Sequence, residues 1–342
     1  METAPTTEAE LDERLSRPAA GTVETLRRIS GDVLILGASG KMGPTLARMA
    51  RRAMDECGRN GRVLAAARFS NPAAETALRD AGVETLRADL LDAECVRRLP
   101  DAENVIFMAG LKFGTSDRPE MAWAMNTIAP AYVAERYRGA RQVVFSTGCV
   151  YPNVPVSGGG SLETDDLEPL GDYANSCVGR ERVFTYFARK HGSPLAVFRL
   201  NYAVDLRYGV LVDVAHKVLR GEPVDVTMGY ANVIWQGDAN DRAIRCLSHT
   251  AVPPLVVNVT GPERVSIRAA ALRFGEFFGK PATIVGQEAP DALLSDATRS
   301  LDLFGPPAVP ADTLIDWVAA WMQRGGRTLG KPTHFERFDG KY

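Results

Sequence analysis

A glycine-rich turn between an apolar strand and a helix constrains the fold more than any other feature of this sequence. Residues 33–36 form an apolar run, Gly37-x-x-Gly40-x-x-Gly43 follows at once, and a helical pattern begins at Pro44. In such a turn the first glycine permits a tight exit from the strand, the second lets the backbone approach a pyrophosphate, and the third lets the helix pack on the sheet. The helix N-terminus adds free N–H groups and a positive dipole end. Because strand, turn and helix occur together, the sequence predicts a dinucleotide site.

Apolar strands alternate with helical segments from this turn to about residue 200. The predicted strands cover 62–67, 83–88, 105–110, 142–145 and 195–201, and the helices cover 44–57, 121–137 and 171–189. This alternation is typical of an α/β, doubly wound parallel (Rossmann) sheet, which binds ligands at the carboxyl ends of its strands. The predicted division is a helical extension over 1–30, a Rossmann domain over 31–204 to which 230–250 return, and a smaller C-terminal α/β substrate domain over 205–229 and 251–342.

Composition and charge argue against several classes of protein. A net charge of −2 offers no basic surface to a nucleic acid or an anionic membrane. No stretch approaches the roughly 20 apolar residues of a membrane helix, and the acidic N-terminus lacks the apolar core of a signal peptide. The five cysteines and four histidines are dispersed, which indicates neither a metal site nor a disulfide framework. We therefore expect a cytoplasmic protein without a metal, acting on a small-molecule substrate.

Arg68, at the end of the second predicted strand, bears on the choice of cofactor. In this fold an acidic residue after that strand prefers the ribose 2′-hydroxyl of NAD, whereas an arginine accommodates the 2′-phosphate of NADP. Arg68 with Ser70 beside it therefore favours NADP, with NAD as the second choice. The alternative is a solvated surface arginine.

A series of short motifs follows the glycine-rich turn in a definite order. The motifs are Asp89-Leu90, Ala109-Gly110, Asn126, Phe145-Ser146-Thr147-x-x-Val150-Tyr151, Tyr173 at the opening of a helix, Arg199-x-Asn201, and residues 232–238. Over about residues 31–250 the series resembles the extended short-chain dehydrogenase/reductase family, also called the NAD-dependent epimerase/dehydratase family. The resemblance implies hydride transfer to or from a polar hydroxy or carbonyl compound such as a sugar derivative. It also implies a homodimer paired through helices 121–137 and 177–189.

The resemblance further implies a role for each matching residue. Tyr173 takes the place of the catalytic acid/base, and Thr147 takes the place of the hydroxyl that orients the substrate oxygen. The implied cofactor contacts are Gly37, Ser39, Gly40, Lys41, Met42, Gly43, Arg68, Asp89, Leu90, Ala109, Gly110, Asn126, Tyr173 and Cys177. The predicted substrate contacts are Lys112, Thr147, Asn201 and Arg180.

One position departs from the family pattern. The family carries a lysine four residues after the tyrosine, which holds the nicotinamide ribose and lowers the pKa of the tyrosine; here the spacing reads Tyr173-x-x-x-Cys177. A tyrosine pKa of about 10 must fall by about 3 units, or ~4 kcal/mol, for the phenol to ionise near neutral pH. A neutral thiol supplies no positive field for this.

Three interpretations of the missing lysine stay open. Arg180, one helical turn beyond Cys177, or Lys112, after the fourth strand, could supply the cation. Alternatively the site carries out another reaction, or Cys177 takes part with a pKa depressed by the helix start. In the third interpretation the chain is a catalytically silent NADP(H)-binding regulatory protein. The function predicted from the sequence is an NAD(P)-dependent oxidoreductase or epimerase/dehydratase-type enzyme with an atypical site.

Overall fold

The apolar run Val33–Leu36 (β1) lies at the centre of a sheet that is covered on both faces. In the computed structural model, which describes residues 3–112 and 117–337, all four side chains are buried. Successive side chains of a strand point to opposite faces. Val33 and Ile35 accordingly pack into one apolar core, and Leu34 and Leu36 pack into another on the far side of the sheet. Such double burial is typical of a parallel sheet.

The strands are numbered along the chain. They are β1 (Val33–Leu36), β2 (Val63–Ala67), β3 (Glu84–Arg87), β4 (Asn104–Phe107), β5 (Arg141–Thr147), β6 (Val154–Pro155), β7 (Leu195–Leu200), β8 (Ala203–Val204), β9 (Val224–Asp225), β10 (Tyr230–Asn232), β11 (Ile234–Trp235), β12 (Leu255–Val259), β13 (Arg264–Ser266), β14 (Ile284–Val285) and β15 (Asp291–Ala292).

The helices are numbered in the same way. They are α1 (Glu8–Leu15), α2 (Ala20–Arg28), α3 (Gly43–Glu56), α4 (Pro72–Asp80), α5 (Ala93–Arg97), α6 (Pro119–Trp123), α7 (Ala129–Arg136), α8 (Gly171–His191), α9 (Val210–Arg220), α10 (Gln236–Arg245), α11 (Ile267–Phe278), α12 (Thr298–Phe304) and α13 (Ala311–Gln323). A π-helical turn, Ala124–Ile128, joins α6 to α7, and 3₁₀ turns occupy Gly148–Val150 and Cys246–His249. Within the described ranges, no helix is both long and apolar enough to cross a membrane.

Seven of these strands form one parallel sheet in the order β12-β7-β5-β4-β1-β2-β3. The chain runs outwards from β1 through β2 to β3, and then returns to β4 on the other side of β1. This reversal leaves a crevice beyond the carboxyl ends of β1 and β4, which is where such sheets bind ligands. The predicted Rossmann-type α/β fold is confirmed.

Strand β12 belongs to a different part of the fold from the one that the predicted domain division gives it. The sequence assigns residues 251–342 to the C-terminal domain, but Leu255–Val259 pairs in parallel with Leu195–Leu200 and extends the main sheet. The reason is non-local: the strand's partner lies more than fifty positions earlier, and only the pairing shows to which sheet it belongs. A separate apolar core forms around α9, α11 and α13.

The N-terminal helices pack on the body of the chain. Val23 and Leu26 of α2 enter the core on one face of the main sheet, with α3 and α10. Leu11 and Leu15 of α1 enter the separate core around α9, α11 and α13. Helix α1 begins after the capping residue Thr7, whose hydroxyl accepts a hydrogen bond from the Glu10 backbone N–H. The N-terminal extension therefore contacts the core on one face of the main sheet and the separate core around α9, α11 and α13.

Candidate active site

The glycine-rich turn lies closer to the backbone around it than side chains would allow. Gly37 has φ +90°, and a Cβ there would lie 2.6 Å from the backbone nitrogen of Ala109. A Cβ on Gly43 would lie 2.3 Å from the carbonyl oxygen of Ala38. Helix α3 has no side-chain cap, so its first N–H groups remain available to an anion. The turn therefore fits the pyrophosphate of a dinucleotide.

Tyr173 stands in the first turn of α8, where this helix meets the end of β5. The register of β5 against β7 brings Thr147 level with Leu200 at the carboxyl edge of the sheet. The Thr147 hydroxyl and the Tyr173 side chain are hydrogen-bonded. Burial raises the pKa of Tyr173 well above its ordinary value, and the thiols of Cys177 and Cys149 raise it further. The phenol is therefore protonated at neutral pH.

Cys177 lies one helical turn beyond Tyr173 and faces the same way. Its thiol is fully buried and hydrogen-bonded to the Tyr173 side chain. Burial raises the pKa of Cys177 to about 11, although the positive charge of Arg180 acts in the opposite direction. The hypothesis that the helix start depresses this pKa is wrong, because burial removes the hydration that a thiolate needs. Cys177 is a neutral thiol, not a thiolate nucleophile.

Arg180 lies on the same face of α8, and its side chain is only 5% exposed. Its Nη1 donates to the Phe145 carbonyl oxygen at 2.7 Å, and its Nη2 donates to Asn126 Oδ1. Its buried Nε has no hydrogen-bond partner, and within the described ranges the guanidinium forms no ion pair. A Cβ on Gly110 would lie 2.4 Å from Nη2. Arg180 is therefore a buried cation and not a surface charge.

The π-helical turn between α6 and α7 places Asn126 beside this arginine. The Asn126 amide nitrogen donates to Ser176 Oγ at 2.8 Å, and its carbonyl oxygen accepts from the Leu111 backbone N–H at 3.4 Å. Asn126 thus ties the segment after β4 to α8. π-Helical turns occur frequently at functional sites. The predicted helix over 121–137 gives no sign of this turn, because apolar spacing does not reveal one widened turn.

A cleft of about 200 Å³ opens beside Tyr173, at the carboxyl ends of the strands. Six of the predicted site residues line it, namely Lys41, Met42, Lys112, Thr147, Tyr173 and Asn201. The cleft adjoins the glycine-rich turn, because Lys41 and Met42 belong to both. The turn, the acid/base candidate and three predicted substrate contacts therefore meet in one place.

The other predicted site residues lie outside this cleft. Cys177, Arg180 and Asn126 are buried behind Tyr173, whereas Arg68, Asp89 and Ser39 are exposed beyond the ends of β2, β3 and β1. The remaining members of the set are Gly37, Gly40, Gly43, Leu90, Ala109 and Gly110, which follow β1, β3 and β4 at the same edge of the sheet. Their contacts with a cofactor stay predictions. Within residues 3–112 and 117–337, no three His, Cys, Asp or Glu side chains are grouped so as to hold a metal ion.

The structure adds residues to the cleft that the motifs miss. Tyr202, Tyr208 and Thr333 line it. The Lys41 ammonium lies 3.0 Å from the centroid of the Tyr208 ring, and Thr333 donates from its backbone N–H and its hydroxyl to Asp213 at 2.7 and 2.6 Å. Tyr202 directly follows the motif Arg199-x-Asn201, whereas Tyr208 lies in the turn before α9 and Thr333 lies in the C-terminal tail. These last two segments carry no quoted motif.

The sheet order and the glycine-rich turn are those of a nucleotide-binding α/β protein, and Thr147 and Tyr173 are hydrogen-bonded at the edge of its cleft. The chain belongs to the NAD dependent epimerase/dehydratase family, whose model matches residues 33–226. It therefore belongs to a family of NAD-dependent enzymes, and the predicted family is confirmed. No curated protein matches the chain significantly in sequence.

Solved structures show the same fold at low sequence identity. The UDP-glucose 4-epimerase of Thermotoga maritima, solved with UDP-glucose, has a TM-score of 0.68 and 17% identity, covering 86% of this chain and 99% of that one. The UDP-glucose 4-epimerase of Thermus thermophilus in complex with NAD has a TM-score of 0.68 and 20% identity, with coverages of 86% and 99%. The dTDP-glucose 4,6-dehydratase of Bacillus anthracis in complex with NAD has a TM-score of 0.70 and 15% identity, with coverages of 86% and 97%.

Proposed function

We propose that this protein is an NAD(P)-dependent oxidoreductase or epimerase/dehydratase-type enzyme acting on a polar hydroxy or carbonyl compound, with sugar derivatives as the first class to test. The observation that carries the proposal is the hydrogen bond between Thr147 and Tyr173 at the edge of a cleft that adjoins the glycine-rich turn. Similar folds bound to UDP-glucose and NAD support the choice of substrate class. The fold alone does not fix the substrate.

The roles follow from the geometry and from the direction of the tyrosine pKa. A bound nicotinamide cofactor supplies or accepts hydride. Gly37, Gly40 and Gly43 would hold its pyrophosphate. Thr147 orients the substrate oxygen, and Tyr173 gives this oxygen a proton in reduction or takes one from it in oxidation. Because its pKa is raised, Tyr173 acts as the proton donor at neutral pH.

We assign one role of the missing lysine, lowering the pKa of Tyr173, to Arg180. Its guanidinium is buried behind Tyr173, stays charged at every working pH, and lowers the pKa of both Tyr173 and Cys177 against the effect of burial. The carbonyl and amide oxygens that hold it do not neutralise its charge. Lys112 lies on the cleft side, with its ammonium 5.8 Å from the centre of the Tyr173 ring. Arg180 therefore acts as a positioning residue, and Lys112 remains a candidate substrate contact.

We further propose that the cofactor is NADP, with NAD as the alternative that the family and its NAD-bound structural neighbours favour. The support is Arg68, whose exposed side chain follows β2 directly. Titration with NADPH and NADH, followed by tryptophan fluorescence, tests the choice. Arg68→Asp should reverse a preference for NADPH, whereas Arg98→Asp, at another exposed arginine, should not. Tighter binding of NADH by the wild type would leave Arg68 as a surface arginine.

Hydride exchange with a panel of hydroxy and carbonyl compounds then tests the reaction. Tyr173→Phe should abolish turnover and keep cofactor affinity, while Tyr186→Phe, at an exposed tyrosine of the same helix, should keep both. Tight cofactor binding without hydride exchange to any compound would favour the alternative, a catalytically silent NADP(H)-binding regulatory protein. The cytoplasmic location stays a prediction from composition.

The proposed oligomer is a homodimer paired through the helices around residues 121–137 and 177–189. Its support is the exposure of apolar side chains on these helices: Ile128 is 46% exposed and Tyr186 is 60% exposed. Light scattering after size-exclusion chromatography tests it. Ile128→Glu should give a monomer, whereas Leu272→Glu, at an equally exposed leucine on α11, should leave the dimer intact. A monomeric wild type would refute the proposal.

A further inference from the structure

The Lys41 side chain extends from the glycine-rich turn across the cleft, towards the separate core around α9, α11 and α13. Its ammonium lies 3.0 Å from the centroid of the Tyr208 ring, a cation–π contact. Tyr208 belongs to the short turn that precedes α9. Within the described ranges the ammonium forms no hydrogen bond and no ion pair. Its charge therefore faces the cleft without an anionic partner among residues 3–112 and 117–337.

The charged groups around Lys41 make this part of the cleft positive. Lys112 and Lys331 add like charges, and Asp205 and Asp213 oppose them. Both carboxylates already have partners. Asp205 pairs with the Arg207 side chain at 2.9 Å, and Asp213 accepts the two hydrogen bonds from Thr333. Residue Lys41 is exposed, and partial loss of hydration together with the charge of Lys112 lowers the pKa of its ammonium. An anion entering the cleft would relieve this repulsion.

The size of the cleft limits what can enter. Its volume of about 200 Å³ lies below the ~300–1,000 Å³ of pockets that bury drug-sized ligands. Thr333 forms part of its wall. The nearby Phe335 is 3% exposed and packs the C-terminal tail into the separate core around α9, α11 and α13. The space beside Tyr173 therefore fits a monosaccharide better than a sugar carrying a nucleotide.

We propose that Lys41 binds a carboxylate or phosphate monoester on a small substrate that carries no nucleotide. The proposal rests on the proposed function, because it assigns the substrate class of the same cleft. A cofactor contact through the backbone of residue 41 is compatible with it, because the side chain points across the cleft to Tyr208. The sources of the anionic group are an acidic sugar and a sugar phosphate, which the experiment separates.

The test is calorimetric titration of the enzyme, saturated with its cofactor, with galacturonate, galactose 6-phosphate, galactose and UDP-galactose. We expect at least one of the two acidic monosaccharides to bind about tenfold more tightly than galactose, which corresponds to ~1.4 kcal/mol. Lys41→Met should remove this margin, because methionine keeps the length of the side chain without its charge. Lys41→Arg should keep the margin. So should Lys331→Met, which removes a lysine that does not line the cleft.

Three outcomes would overturn the proposal. The first is equal binding of the neutral and acidic sugars, or no binding of either acid. The second is preferred binding of UDP-galactose. The third is a Lys41→Met variant that loses cofactor affinity but keeps the margin for the acid, which would assign the side chain to the cofactor. Thermal unfolding of each variant checks that it is folded. If the acid binds through Lys41 but no hydride is exchanged, the proposed function fails and the anion site stands.

Discussion

Replacing Cys177 with lysine should lower the pKa of Tyr173. This substitution puts an ammonium four residues after the tyrosine, in the family's pattern. In the wild type the Cys177 thiol is hydrogen-bonded to the Tyr173 side chain, and it raises the pKa of the phenol instead of lowering it. A positive charge at the same place stabilises the tyrosinate. The expected result of Cys177→Lys is ionisation of Tyr173 at a lower pH than in the wild type.

The magnitude follows from the closeness of the two side chains. Two opposite charges about 4 Å apart attract by ~4 kcal/mol at an effective dielectric constant of about 20, which equals about 3 pKa units at ~1.36 kcal/mol each. Two costs reduce this figure. The new ammonium loses its hydration in a fully buried position, and it meets the like charge of Arg180 on the same helix face. We therefore expect a fall of about 1–2 units in the pKa of Tyr173.

Absorbance titration of tyrosinate measures this pKa without a substrate. Each protein is titrated beside its own Tyr173→Phe counterpart, and the difference between the two curves belongs to Tyr173. Cys177→Met is the matched control, because methionine approaches lysine in length but carries no charge; it should not lower the pKa. If folded Cys177→Lys ionises Tyr173 at the wild-type pH or above it, the reasoning about the missing cation is refuted.

Three further predictions concern other parts of the site. Glu181→Gln removes one partner of the buried pair with Arg199, whose ions lie 2.8 Å apart, and should destabilise the fold by about 3–5 kcal/mol in urea unfolding; a loss below ~1 kcal/mol would contradict it. Gly43→Ala forces a Cβ to within 2.3 Å of a backbone oxygen, so it should cost about 1–3 kcal/mol in the same assay and weaken cofactor binding; unchanged stability and affinity would contradict it. Because the pKa of Lys41 is lowered from its ordinary value, affinity for the acidic monosaccharide should fall with rising pH at a lower pH than for an ordinary lysine, and in Lys41→Arg it should not.

The fold was predictable wherever short stretches of sequence carry their own physical reason. The bounds of β1 agree with the prediction residue for residue, because a strand buried on both faces leaves an uninterrupted apolar run. Strand β12 was assigned to the wrong part of the chain, because its place depends on pairing with β7. The π-helical turn could not be predicted from the sequence, because it changes the hydrogen bonding of a helix more than the spacing of its apolar residues.

The sequence motifs were enough to predict which residues meet at the candidate site. They were not enough to predict the burial of its charged and titratable groups or the direction of their pKa shifts. Thr147 and Tyr173 were expected to meet, and the end of β5 and the start of α8 bring them together. Whether Arg180 lies in solvent or behind the tyrosine depends on tertiary packing alone. Of the interpretations left open for Cys177, the one with a depressed pKa is wrong, because burial raises the pKa of the thiol, and burial depends on tertiary packing. Tyr208 entered the cleft from a segment without any motif.

The positions of Cys177 and Arg180 together determine which direction of proton transfer the site favours. A lysine at position 177 would place its charge next to the phenol, whereas the Arg180 guanidinium is held one turn further along by the Phe145 carbonyl and the Asn126 amide. Its field lowers the pKa of Tyr173 without overcoming burial. Tyr173 therefore keeps its proton at neutral pH and is ready to donate it to a carbonyl oxygen. The reverse step, oxidation of a hydroxyl, needs the tyrosinate and should become faster as the pH rises. Within the proposed function, a cysteine in place of the family's lysine thus favours carbonyl reduction. The charge of Arg180 keeps oxidation of a hydroxyl accessible.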